Sequence, residues 1–284
     1  MIFVSSSCAR GATIADSVEK LVALGFRNIE LSGGTAPYPS LQKDLLELQQ
    51  KYGLNYLCHN YFPPSPVPFV INIASLDDEV SRKSMAHLEQ AIELSRLLGA
   101  KRFGFHAGFL INIPVSQVGK SISHQQLFDR KLSTERFVQN YTFLKNKAGD
   151  IELYLENNVV SETNLRNFNG QNPFFLTSWS EFIQLSELMQ LKPLLDVAHL
   201  KVSSQSLGLS FDDELQKFWG VSDYIHISDN DGTTDNNRAL KRNSALYESL
   251  SRESFLGKTF TLEVYSGDDD LCSSFELLTE LAEK

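Results

Sequence analysis

Glu152-Leu153-Tyr154-Leu155-Glu156, leading into Asn157-Asn158, is a short apolar run that ends on a carboxylate. Seven more short apolar runs recur along the chain: Ile2–Ser6, Asn28–Leu31, Asn55–His59, Arg102–His106, Pro193–Asp196, Tyr224–Ile227 and Phe260–Val264. They are too short for helices and rich in β-branched and aromatic residues, so each reads as a strand. A longer amphipathic stretch follows each one. Thr13–Leu24 opens on a Thr13 cap and closes at Gly25, and Leu41–Tyr52 stops at Gly53. Leu76–Leu98 begins after Ser75, carries Asp77, Asp78 and Glu79 where carboxylates suit the helix dipole, and ends at Gly99. The remaining helical stretches are Ser133–Lys147, Ser178–Met189, Asp212–Trp219, Ala239–Glu253 and Ser273–Lys284.

Eight apolar strands separated by single helices predict a parallel sheet covered on its outer face. Eight strands also permit closure, which makes the expected fold an α/β (β/α)8 TIM barrel, one domain over residues 1–284. An open doubly wound sheet usually carries a Gly-rich turn after its first strand, and Ser5-Ser6-Ser7-Cys8-Ala9-Arg10-Gly11 is not GxGxxG. The segment from Gly108 to Lys131 is long for a βα loop and reads as a lid.

Composition agrees with one large domain. The 284 residues exceed the roughly 250 that such a barrel needs, and 42% of them are hydrophobic, enough for a large core. With 35 acidic against 26 basic residues the net charge is −9, which argues against nucleic acid as a partner. Three scattered cysteines, the lack of a long apolar span and an N-terminus without a basic leader lead to the expectation of a cytoplasmic protein with no membrane contact. Homo-oligomerisation is left open.

Barrel enzymes build their sites where strands end. Seven of the eight proposed strands end on, or nearly on, a residue able to ligate a metal or move a proton: Glu30, His59, His106, Glu156, Asp196, His226 and Glu263. His199 follows Asp196 by three residues. One such residue would be an ordinary polar cap, but seven converging on one barrel mouth point to a metal site. Glu156 and Glu263 follow apolar runs, and a buried carboxylate demands a partner. Oxygen-rich ligation with one or two imidazoles suits a divalent metal such as Mn, Mg, Co or Zn.

The ordered series Glu156 in ELYLENN, Asp196 and His199 in LLDVAHLKVS, His226 in YIHISDNDG and Glu263 in FTLEV resembles the xylose isomerase-like TIM-barrel superfamily, over nearly the whole chain. That superfamily includes sugar isomerases and epimerases, inosose dehydratases and the endonuclease IV group. The resemblance implies that Glu156, Asp196, His226 and Glu263 hold one divalent metal, with Glu156 and Glu263 facing each other across the substrate. It gives His199 to the substrate or to support of the metal shell. The endonuclease IV group adds His59 and His106 as ligands of a second metal shared with Glu156; otherwise they bind substrate. A third metal there needs an Asp-x-His pair, and this chain has Asp235-Asn236-Asn237, with an amide where the imidazole belongs.

The expected chemistry is isomerisation or epimerisation of a small sugar, ketose or polyol derivative through an enediolate, with Glu156 and Glu263 as the proton-transferring pair. The alternatives are an endonuclease IV-like phosphodiesterase and an inosose dehydratase-like lyase. Glu30, Lys201 and Arg238 are further substrate-binding candidates. Glu30 would meet hydroxyls or orient His59. Lys201, and the cluster of Arg238, Lys241 and Arg242, would meet an anionic group. Asp229 and Asp231 would orient ligands from behind, or simply serve their turn.

Overall fold

The computed structural model describes residues 1–283. Eight strands, β1 (Ile2–Ser5), β2 (Asn28–Leu31), β3 (Asn55–His59), β4 (Arg102–His106), β5 (Glu152–Glu156), β6 (Lys192–Asp196), β7 (Tyr224–Ile227) and β8 (Thr259–Leu262), pair in chain order. All pairings are parallel, and β1 against β8 closes the barrel. The registers Glu156 opposite Leu194, Asp196 opposite His226 and His106 opposite Glu156 bring the polar strand ends to one rim.

Among the described residues ten helices surround it: α1 (Ile14–Ala23), α2 (Leu41–Tyr52), α3 (Asp78–Leu97), α4 (Arg130–Ala148), α5 (Glu162–Asn167), α6 (Trp179–Leu188), α7 (Val197–Leu207), α8 (Phe211–Val221), α9 (Ala245–Leu250) and α10 (Asp268–Ala282). Thr13 caps α1 in a reciprocal capping box with Asp16, and Asp77 caps α3 by accepting from Glu79 and Val80.

Four expectations are corrected. β8 ends at Leu262, so Glu263 stands just past the strand rather than within it. The helix expected over Ala239–Glu253 is only Ala245–Leu250, because Asp229 and Arg238 form an antiparallel bridge and Ser244 supplies the cap later in the chain. α10 starts at Asp268, five residues earlier than its expected start at Ser273. Helix α7 has no counterpart among the expected helices: seven of its residues are buried, so it lacks the one-sided pattern that marks a surface helix.

The segment after β4 is anchored. Phe109, Ile111 and Ile122 pack with Val70, Val160, Phe168 and Phe174 in a small apolar cluster of their own. Asn164 accepts from the Ile122 N–H at 2.9 Å. Val115 and Val118, from a short 3-10 turn and its end, project 49% and 46% exposed beside the barrel mouth. No helix among the described residues is long and apolar enough to cross a membrane.

Candidate metal centre

The strand-end residues converge around Glu156, whose carboxylate is 1% exposed. On one side His59 Nε2 lies 2.8 Å from Glu156 Oε2 and His106 Nδ1 lies 3.1 Å from the same oxygen. On the other, His226 Nδ1 and His199 Nδ1 stand 3.6 and 3.7 Å from Oε1. His226 Nδ1 is also 3.7 Å from Glu263 Oε2. One carboxylate therefore touches both halves of the expected site.

The local chain explains these positions. Asp196 ends β6 and caps α7, accepting from the His199 N–H at 2.7 Å, so the D-x-x-H spacing puts carboxylate and imidazole on one helical turn. His199 Nδ1 donates to Asn157 O at 2.9 Å, which turns Nε2 toward Asp235 Oδ2 at 3.2 Å. Asn157 also exchanges two hydrogen bonds with the Asp196 backbone, tying β5 to β6 beneath the site. Asn158 donates to Ala107, Gly108 and Phe175 carbonyls and so holds the loops.

Glu30 sits behind His226, to which it is ion-paired, and near His59. It is fully buried, its Oε1 is 3.1 Å from His226 Nε2, and its Oε2 accepts from Thr261 Oγ1 at 2.9 Å and from the Tyr224 hydroxyl. A carboxylate on Nε2 fixes the ring so that Nδ1 faces Glu156 and Glu263.

Several donor atoms in this cluster are buried without a hydrogen-bond partner: His226 Nδ1, His106 Nδ1, Glu30 Oε1 and Asp235 Oδ1. Such atoms are costly unless something else satisfies them. Four sets of donors lie within 4.8 Å of one another: Asp196, His226 and Glu263; His59, Glu156 and His226; His106, Glu156 and His199; and Glu30, His59 and Glu263. Oxygen and imidazole donors without thiolates fit a hard or borderline divalent cation.

The electrostatics are coupled. Burial would raise Glu156, but the charges on His106 and His59 outweigh it and hold the carboxyl well below its usual range. Burial pushes Asp196 up to about 7 despite His199, with Glu156, Asp235 and Glu263 adding to the rise. Burial would lower His199 and His226, yet their carboxylate neighbours keep both well above the ordinary imidazole value. His106 falls to about 4 because burial dominates. Two carboxylates in one cluster are thus driven apart in acidity.

The cluster opens into a cavity of about 600 Å³ whose wall includes His59, His106, Glu156, His199, Asp235 and Glu263. A second cavity of about 350 Å³ shares His106, His199 and Asp235 with it and runs under the segment after β4, among Phe109, Ile113, Ile122 and Phe174. Lys201 and Arg238 lie in neither wall. Lys201 Nζ is 2.6 Å from Asp229 Oδ1, and Arg238 Nη2 is 2.7 Å from Asp231 Oδ2. Three cavity residues do not stand out in the sequence. Asp235 appears there only as part of a broken motif, Arg10 only as part of a loop without glycine signature, and His87 lies on α3, far from any strand end.

Residues 18–265 match the family model described as the xylose isomerase-like TIM barrel, and the chain belongs to that family. A D-tagatose 3-epimerase-like protein has the same fold, with TM-score 0.73 and 18% identity over 99% of this chain and 96% of its own. Endonuclease IV from Thermus thermophilus gives TM-score 0.61 and 18% identity over 99% and 98%. An L-ribulose 3-epimerase gives TM-score 0.63 and 16% identity over 97% and 86%. At these identities the likeness establishes the fold. No curated protein sequence matches the chain.

Proposed function

We propose that the protein is a divalent-metal-dependent isomerase or epimerase of a small sugar, ketose or polyol derivative. The observation that carries this is the pair Glu156 and Glu263. They come from β5 and from just past β8, line the same cavity, and approach His226 Nδ1 at 3.6 and 3.7 Å. Glu156, Asp196, His226 and Glu263 would hold a Mn, Mg, Co or Zn ion, with Glu30 orienting His226 from behind. When bound, the ion polarises a substrate carbonyl and acidifies the neighbouring C–H. Glu156 and Glu263 then divide the proton transfer, one removing the proton and the other returning it. His199, held by Asn157 and Asp235, would meet a substrate hydroxyl. The epimerases among the structural neighbours support a small carbohydrate substrate.

Turnover in deuterium oxide on a panel of ketoses and inosoles should place deuterium on carbon, and Glu156→Gln should lower that exchange by about 10²–10⁴-fold. Exchange that persists in the variant overturns the assignment. Product analysis on the same panel separates isomerisation from loss of water.

A second reading, phosphodiester hydrolysis, draws on His59 and His106 at Glu156 and on the His199–Asp235 pair. Against it stand Asn237 in the cavity wall where a third imidazole would be needed, and the wall's single Lys or Arg, Arg10. Cleavage of an abasic duplex at low salt would favour this reading over the first.

A further inference from the structure

At the barrel mouth the charges expected to act on metal or substrate are answered by other groups of the protein. The carboxylates Glu156, Glu263 and Asp235 face imidazoles, and Lys201 and Arg238 are paired with Asp229 and Asp231. Arg10 is different. It is the only lysine or arginine in the wall of the 600 Å³ cavity, and among the described residues no carboxylate oxygen lies within 4.0 Å of its guanidinium. Its fork lies over the Tyr265 ring, 5.4 Å from the centroid, which orients it without neutralising it.

The surroundings of Arg10 are polar and held in place. The turn after β1 that carries it is tied to the loop after β2 by Ala36 N–H donating to Ala12 O at 3.1 Å and by the Ser7 hydroxyl at 3.5 Å from Gly33 O. On that loop the Thr35 hydroxyl oxygen is buried without a hydrogen-bond partner and lines the same cavity. Gly34 adds no side chain there, and a Cβ on it would meet nothing within 4 Å. A planar guanidinium and a free hydroxyl at a cavity mouth are suited to a carboxylate or a phosphate, which accept two parallel hydrogen bonds from an arginine.

We propose that Arg10, with Thr35 on the adjoining loop, binds an anionic substituent of the substrate, so that the substrate is a sugar acid or a sugar phosphate rather than a neutral sugar. This rests on the sugar-directed reading of the site. It also moves the anion contact from Lys201 and Arg238, which Asp229 and Asp231 occupy, to the rim between β8, β1 and β2.

The test is calorimetric titration of the manganese-loaded protein and of its Arg10→Gln variant with D-fructose, D-fructose 6-phosphate and D-fructuronate. Arg10 is exposed, so the substitution leaves the core untouched. One of the two anions should bind about 10–100-fold more tightly than fructose, and Arg10→Gln should erase that margin while leaving metal content and fructose affinity unchanged. The anion that wins distinguishes carboxylate from phosphate. The proposal is overturned if neither anion outbinds fructose, or if the margin survives in the variant, which would assign the anion to the metal. An Arg10-dependent margin in a protein without deuterium exchange would strike the isomerase reading and leave the anion site standing; exchange without the margin would do the reverse.

Discussion

Along the inside of the barrel, residues two apart on the same strand do opposite work. Leu57, Tyr154, Leu194 and Tyr224, with Phe3, pack into an apolar plug separate from the main core. Two residues further along each of those four strands stand His59, Glu156, Asp196 and His226. The strand period of two makes this economical, since each strand gives the interior one packing residue and one site residue. Below the plug the charges pair simply, Arg102 with Asp223 at 3.1 Å and Lys192 with Glu152 at 2.5 Å, both open to solvent in part. Above it the charges are buried and many-sided. Gly104 marks the seam, for a Cβ there would collide with Leu194 Cδ1 and sit 3.4 Å from His59 Cδ2. The lower layer fixes the strands by shape, which lets the upper layer hold groups that repel one another.

If the two layers are separable in this way, Leu194→Ala should act on stability alone. Leu194 is fully buried, and removing it should cost about 2–5 kcal/mol in denaturant unfolding while metal stoichiometry stays the same. Loss of metal in a variant that still folds would show that the plug shapes the site directly.

Glu30→Gln probes the opposite layer. The amide nitrogen would face the donors Tyr224, Thr261 or His226, and the hold on the His226 ring would loosen. Metal affinity should fall about 10–100-fold. Unchanged affinity would reduce Glu30 to a structural group.

The smallest and most graded effect is that of pH. His199 and His226 are held well above the ordinary imidazole value of 6.5 by their carboxylate neighbours. A cation held by His226 must displace its proton, so affinity should weaken as pH falls, by about tenfold per unit for that proton. Because His226 is raised, the gain in affinity should continue on going above pH 6.5; a plateau already reached there would contradict the coupling.

Much of the barrel was legible because its strands are short, apolar and bounded by clear helix stops such as Gly25, Gly53 and Gly99. The rim was legible too, since His59, His106, Glu156 and Asp196 end their strands and Glu30 and His226 stand one residue short of the end. α7 was not, because a helix buried on most sides loses the period that reveals it. Nor were the partners of Lys201 and Arg238: an aspartate 28 residues from Lys201 and one 7 residues from Arg238 are ordinary turn residues until the chain folds them back.

The sequence by itself determined the fold class and which ionisable groups end the strands, because local period and strand length are properties of neighbouring residues. Only the tertiary structure decided who faces whom. Closure of β1 on β8 brings Thr261 within 2.9 Å of Glu30 across 231 residues, sets Glu30 against His226, and leaves Arg10 as the cation of the cavity wall without a carboxylate partner among the described residues. Those contacts depend on angular position around a closed ring, which no stretch of chain encodes alone.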